Sequence, residues 1–170
     1  MIACLDVHYL SGSGARAACV GFSGWTSSDA TWERVVTITS GVEPYVPGQF
    51  YKRELPCLLT ALAAVPCALT AIVVDGHVYL SPDRAPGLGA HLYDALGGRV
   101  PVIGVAKTSF RDAPALEVVR NAARPLYVTA AGMPEAEAAK AITSMHGPYR
   151  LPTMLKRADT LCRGLAQPMG

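Results

Sequence analysis

The sequence predicts an α/β layered domain, a sheet of mixed strand direction flanked by helices. Three observations carry that expectation. The first forty residues hold three short stretches rich in Val, Ile, Ala, Thr and aromatics, at 2–9, about 15–23 and about 33–39, with a small-residue cluster at 11–14 that signals a hairpin. From position 55 onward the pattern changes to an alternation of helical stripes and buried apolar runs, which is how helix-linked strands read. The chain has 170 residues, 51% of them hydrophobic, enough for a real core in a single domain spanning 1–170 and too many for disorder.

In order, the three opening strands form an antiparallel meander. Leu55, Leu58, Leu59, Leu62 and Val65 then recur at helical spacing, followed by a strand at 71–75, a helix over about 87–96 and a buried strand at 100–106. Beyond them lie strands near 116–119 and 125–129 and two closing helices over about 134–145 and 152–165. A meander followed by helix-linked strands puts the first strand near the centre of the sheet.

Fifteen Lys and Arg against thirteen Asp and Glu give a formal charge of +2, too small for nucleic-acid binding through bulk charge, so any such binding needs a local patch. The start MIACLDVHYL carries no basic leader, and no apolar run reaches the roughly 20 residues a membrane span requires, which reads as a soluble, cytoplasmic protein without membrane contact. Cys4, Cys19, Cys57, Cys67 and Cys162 are odd in number and lack CxxC spacing, as small core residues in a reducing compartment would be. There is no phosphate-binding loop, and GLG at 87–89 is too short to be a dinucleotide fingerprint.

Three acids stand out: Asp6 in LDVHY, Glu54 in YVPGQFYKRELP and Asp75 in AIVVDGHVYLSP. The first and third end apolar runs that read as strands, and the second lies in a helical segment, so the three can converge. Carboxylates converging in a core repel and are costly to desolvate, and the common compensation is a hard divalent cation with oxygen ligands. His8 is read as turned away from Asp6. His77, beside Asp75, is read as hydrogen-bonding a neighbouring carboxylate.

Five peptides occur in order: PYVPGQFYKRELP, VVDGHVYLSP with GLGAHL, PVIGVAK, RPLYVTAAG and GPYRLPTMLKRADTL. Together they resemble the endonuclease V family, from Asp6 to about Leu161. The resemblance implies a ribonuclease H-like mixed five-stranded sheet flanked by helices. It also implies a monomeric, Mg²⁺-dependent endonuclease, with Mn²⁺ able to substitute, hydrolysing a phosphodiester on the 3′ side of inosine in DNA or RNA. Matched by position, Asp6, Glu54 and Asp75 would be catalytic metal ligands, Asp159 would approach a second metal, and Lys107 would hold the scissile phosphate. Tyr45 would be the wedge that stacks where a base is extruded, and Gly48, Phe50, Gly76 and Ser81 would line the base pocket. Lys52, Arg53, Arg150, Lys156 and Arg157 are candidates for the local basic patch.

The resemblance also has gaps, as in a short, divergent member. Val78 stands where the family carries a second glycine of DGHG, and Ser81 where it carries a histidine. TAAGMPEAE follows RPLYV in place of a more basic stretch, and Asp6 lies almost at the chain start, where relatives carry preceding helices. Two alternatives stay open: a non-cleaving nucleic-acid-binding homologue, and a metal-dependent nuclease with altered specificity. The three acids and Lys107 argue against the first, since a pure binder has no need of four groups aimed at one phosphate.

Overall fold

A computed structural model describes residues 1–11, 14–39, 50–111 and 113–169. The elements, in chain order, are β1 (Ile2–Tyr9), β2 (Ala15–Phe22), β3 (Trp32–Ile38), α1 (Phe50–Ala63), β4 (Ala71–Asp75), α2 (Leu88–Ala95), β5 (Val102–Ala106), β6 (Leu116–Val118), β7 (Leu126–Ala131), α3 (Glu135–Ser144) and α4 (Thr153–Cys162). The strands form one sheet in the order β3-β2-β1-β4-β5-β7-β6. The expected meander is present, β1 with β2 and β2 with β3, and β1, β4 and β5 run parallel.

The five strands implied by the family resemblance are the body of the sheet, and the two strands expected near 116–119 and 125–129 extend it to seven among the described residues. β7 runs antiparallel to β5, and β6 antiparallel to β7. A parallel neighbour needs a crossover, normally helical, to bring the chain back to the starting edge. Among the described residues no helix intervenes between β5 and β7, so the chain doubles back and the direction flips.

Alternation along the strands sorts side chains into two cores. Ile2, Cys4, Val73, Ile103 and Val105 pack with Ile142 of α3 and Met154, Leu155, Ala158 and Leu161 of α4. Ala3, Leu5, Ile72, Val74 and Val102 pack on the other face with Leu58 and Ala61 of α1 and Leu88 and Leu92 of α2. Burial on both faces explains why the central strands read as unbroken apolar runs. Gly104 has a specific reason to be glycine: a Cβ there would lie 2.5 Å from the Gly76 carbonyl and 2.9 Å from the Val78 nitrogen. Its absence lets the turn after β4 lie against β5.

Two arginines fix the closing helix. Arg120, only 5% exposed, donates to the carbonyls of Met145, Gly147, Tyr149 and Arg150 and so knits the segment between α3 and α4. Arg157 of α4 makes a two-pronged bridge to Glu33 of β3, with Nε–Oε1 2.6 Å and Nη2–Oε2 2.9 Å. Glu33 is 2% exposed and also accepts from the Met169 backbone N–H. Among the described residues no helix is long and apolar enough to cross a membrane.

Candidate functional site

The strand register sets the first two acids side by side. β1 and β4 pair in parallel up to Leu5 opposite Val74, and one further step brings Asp6 next to Asp75. β4 ends there, whereas β1 continues to Tyr9 against β2 alone, so Asp6 stands where β1 loses its parallel neighbour. By alternation Asp6 follows Cys4 and Asp75 follows Val73. Glu54 reaches the same edge from α1, which packs on the opposite face.

These acids feel one another. Asp6 is pushed up to about 6, first by burial and then by the Asp75 charge, against the pull of a 2.8 Å hydrogen bond from the Val7 N–H. Glu54, 7% exposed, is pushed up to about 9 by burial, then by Asp6 and Asp75, with Arg53 opposing. The Oε2 atom of Glu54 is buried and has no partner among the described residues. A buried unpartnered carboxylate oxygen beside two further carboxylates is the environment that a hard cation relieves, so the donor set suits Mg²⁺ or Mn²⁺. The donors are not preassembled: among the described residues no three acidic, histidine or cysteine side chains meet at ligand spacing. Asp75 is instead turned to Lys107, whose Nζ lies 3.0 Å from its Oδ2.

Lys107 follows β5 directly, and Arg150 donates to its carbonyl and to that of Pro125, which fixes the strand end from which the lysine projects. Asp159 is engaged on α4 by Lys156 at 2.9 Å and Arg163 at 2.5 Å, which hold its carboxyl low despite burial. Of the proposed basic patch, Arg150 and Arg157 are committed to internal partners and Arg53 stacks over the Tyr9 ring at 3.6 Å, leaving Lys52 and Lys156 as the exposed members.

Two connected cavities open at this edge. One, of about 590 Å³, is walled by Asp6, His8, Tyr9, Glu54, Asp75, Lys107 and Arg163. The other, of about 390 Å³, is mostly apolar, with Tyr51, Leu80, Leu88 and Arg111 on its walls. Phe50, Gly76, His77 and Phe110 line both. Phe50 opens α1 and is 43% exposed, and Gly76 sits at φ +140 with open space where a Cβ would be. Tyr45 and Gly48 lie outside the described residues.

Several sequence expectations need correction. His8 is two residues from Asp6, and a strand's side chains repeat every second residue, so both share one face and His8 lines the cleft. The His77 ring pairs through Nε2 with the Thr108 carbonyl at 3.0 Å instead of a carboxylate. Ser81 is not on either cavity wall: its hydroxyl accepts from the Ala85 N–H at 3.1 Å within a tight turn, and the neighbouring wall residue is Leu80. Val78 is wholly buried against α2, where a Cβ on Gly89 would come within 2.6 Å of it, so GLG at 87–89 serves close packing. Arg163 is a cleft residue that sequence reading missed. It belongs to no motif, and only the return of α4 onto β1 brings it to the site.

The family model for endonuclease V matches residues 1–118. Endonuclease V from Streptomyces avermitilis is 38% identical over 142 residues, 71% of this chain and 61% of that protein. The Rhodospirillum centenum endonuclease V is 35% identical over 150 residues, 75% and 61%. The chain thus spans about three-fifths of the length of the curated relatives it matches. Among solved structures, the Streptomyces avermitilis endonuclease V superimposes with TM-score 0.80 at 30% identity, covering 96% of this chain and 80% of that one. Endonuclease V from Ciona intestinalis, bound to a 24mer DNA containing an inosine followed by a ribo-adenosine, gives TM-score 0.82 at 18% identity, covering 96% and 84%. The fold is ribonuclease H-like, as in these neighbours.

Proposed function

The chain belongs to the endonuclease V family, and on that premise we propose that it is a divalent-metal-dependent endonuclease that cleaves a phosphodiester on the 3′ side of inosine in DNA or RNA. The observation that carries this reading is the meeting of Asp6, Glu54, Asp75 and Lys107 in one cleft continuous with an apolar cavity. The Ciona intestinalis relative, seen with inosine-containing DNA, supports the choice of lesion.

Asp6, Glu54 and Asp75 would hold Mg²⁺, with Mn²⁺ able to substitute. Such an ion, when bound, supplies a Lewis acid that lowers the pKa of water and offsets charge on phosphate. The chain's own groups do the rest. Lys107 rests on Asp75 in the free protein, and a phosphate oxygen can replace that carboxylate as its partner, so the cation is already aimed where charge develops. Phe50 and Gly76 at the mouth of the apolar cavity offer an aromatic face and open backbone to an extruded base. Tyr45 and Gly48 enter through the sequence match alone, as wedge and pocket residues.

A second reading, the same chemistry with altered base selectivity, is favoured by one observation. Ser81, in the position of the family's histidine, spends its hydroxyl on Ala85 while Leu80 faces the cavity. Incubating the protein with Mg²⁺ and matched DNA and RNA strands, with and without a single inosine, tests both readings. Nicks 3′ to inosine support the first, cleavage indifferent to inosine supports the second, and no cleavage of any strand contradicts both.

A further inference from the structure

Few polar side chains on the apolar cavity can read a base. Ser81 spends its hydroxyl on the turn to Ala85. His77 is closed as well, with its Nε2 set on the Thr108 carbonyl and its Nδ1 buried without a partner among the described residues. Tyr51 lies on the wall with its ring stacked on that of His91 at 3.6 Å. A phenol both donates and accepts, so it suits a base edge of either kind and separates none. Among the described residues the remaining polar side chain on this wall is Arg111.

Arg111 stands four residues beyond Lys107, on the loop that follows β5. Its guanidinium lies over the Phe110 ring, 5.5 Å from the centroid, and no carboxylate of the described residues pairs with it. Phe110 lines both cavities, so the cation is carried where the two join. The backbone at Arg111 has φ +43, a left-handed conformation that is unfavourable for any residue with a Cβ and that recurs at ligand-binding positions.

A guanidinium donates through a flat fork and accepts nothing. The base edge that fits it has two acceptors side by side, as O6 and N7 of guanine do in the commonest specific contact of arginine with a base. Hypoxanthine carries the same O6 and N7 pair. Adenine sets an amino donor in place of O6, and an arginine N–H has nothing to bond there.

We propose that Arg111 separates hypoxanthine from adenine, its fork donating to O6 and N7 of the extruded base while the Phe110 ring supports the cation. The class of base it selects is a 6-oxopurine. This assignment rests on the nuclease reading and gives its apolar cavity a base-reading side chain. Phosphate binding, the other common use of an arginine beside nucleic acid, makes no distinction between bases.

The test is competitive cleavage in Mg²⁺ of paired DNA strands that differ at one base, inosine against 7-deazainosine and inosine against adenine. 7-Deazainosine keeps O6 and replaces N7 by C–H, so it deletes one acceptor of the pair. Both strands of a pair meet the same sample, so any loss of folded protein cancels from the ratio. The unmodified protein should prefer inosine to 7-deazainosine by about tenfold, the value of one hydrogen bond to a charged group, and Arg111→Met should cut the two at nearly equal rates. Against adenine, Arg111→Met should lower the preference for inosine by about fivefold to 150-fold. Arg111→Gln should lower it further, because glutamine pairs with N6 and N7 of adenine. Ratios in Arg111→Met that stay at the unmodified values, with nicks still 3′ to inosine, overturn the proposal and leave the nuclease reading intact. An unmodified protein that cuts none of the strands overturns both.

Discussion

The Lys107 ammonium donates to the Asp75 carboxylate at 3.0 Å across the tips of β5 and β4. Both side chains are more than a third exposed, at 44% and 36%, so water screens the pair and it contributes little to stability. Its value is positional, because it holds a cation beside an acid that the substrate and its metal would engage. Lys107→Met should therefore leave the melting temperature nearly unchanged and lower the single-turnover cleavage rate by about 10²–10³, the cost of losing one preorganised charge in a transition state. A large melting shift with little change in rate would make the lysine structural.

Glu54 tests the acidic cluster without any assay of cleavage. Its carboxyl is buried with an unpartnered oxygen near Asp6 and Asp75, so the metal-free fold carries an unrelieved cost. Glu54→Gln should raise the melting temperature in EDTA, by about 2–4 °C for each kcal/mol relieved in a domain of this size. Mg²⁺ should raise the melting temperature of the unmodified protein by mass action and leave that of the variant almost unmoved. A Gln variant that melts lower in EDTA would show that the carboxylate is satisfied as it stands.

Much of this was legible in the sequence, for identifiable reasons. Asp6 and Asp75 each close an apolar run, and apolar runs of that length become central strands, so their arrival at one edge followed from pattern alone. Distance along the chain hid the rest. Arg163 reaches the cleft only because α4 folds back onto β1, and Arg157 resembles a surface charge until its partner Glu33, on β3, is known. The reading of His8 was an error of strand period, since two residues along a strand restore the same face. The turn chemistry of Ser81 depends on an Ala85 N–H that no motif match reveals.

The Glu33–Arg157 bridge makes a prediction about pH. Burial acts to raise the Glu33 pKa, but the Arg157 hydrogen bonds, the Met169 N–H and the arginine charge outweigh it and hold the group below its ordinary value. A carboxylate depressed in the folded state stabilises above its unfolded pKa of about 4.3, and that stability is lost as pH falls through the lower folded value. Stability should therefore decline below about pH 4.3 in the unmodified protein, with a shallower decline in Glu33→Gln. Arg157→Ala should cost about 3 kcal/mol at neutral pH, because it strands a buried acid, and should leave nucleic-acid affinity unchanged. Lost affinity in a stable Arg157→Ala would return this residue to the binding surface.

Ser81 tests how the base is read. Its hydroxyl serves the turn to Ala85, so Ser81→Ala should lower stability by about 1 kcal/mol and leave the ratio of inosine to adenine cleavage unchanged. A fall in the ratio for Ser81→Ala would show that the hydroxyl leaves its turn to meet the base.

The central claim is that Asp6 and its neighbours make a metal-dependent nuclease site, and the most direct measurement compares the unmodified protein with Asp6→Asn on one inosine-containing strand in Mg²⁺. The substitution removes a charge and barely alters shape. The unmodified protein should nick 3′ to inosine and lose that activity in EDTA, and Asp6→Asn should bind the strand with similar affinity and leave it uncut. Equal cleavage by the two proteins, or cleavage that persists in EDTA, would contradict the account.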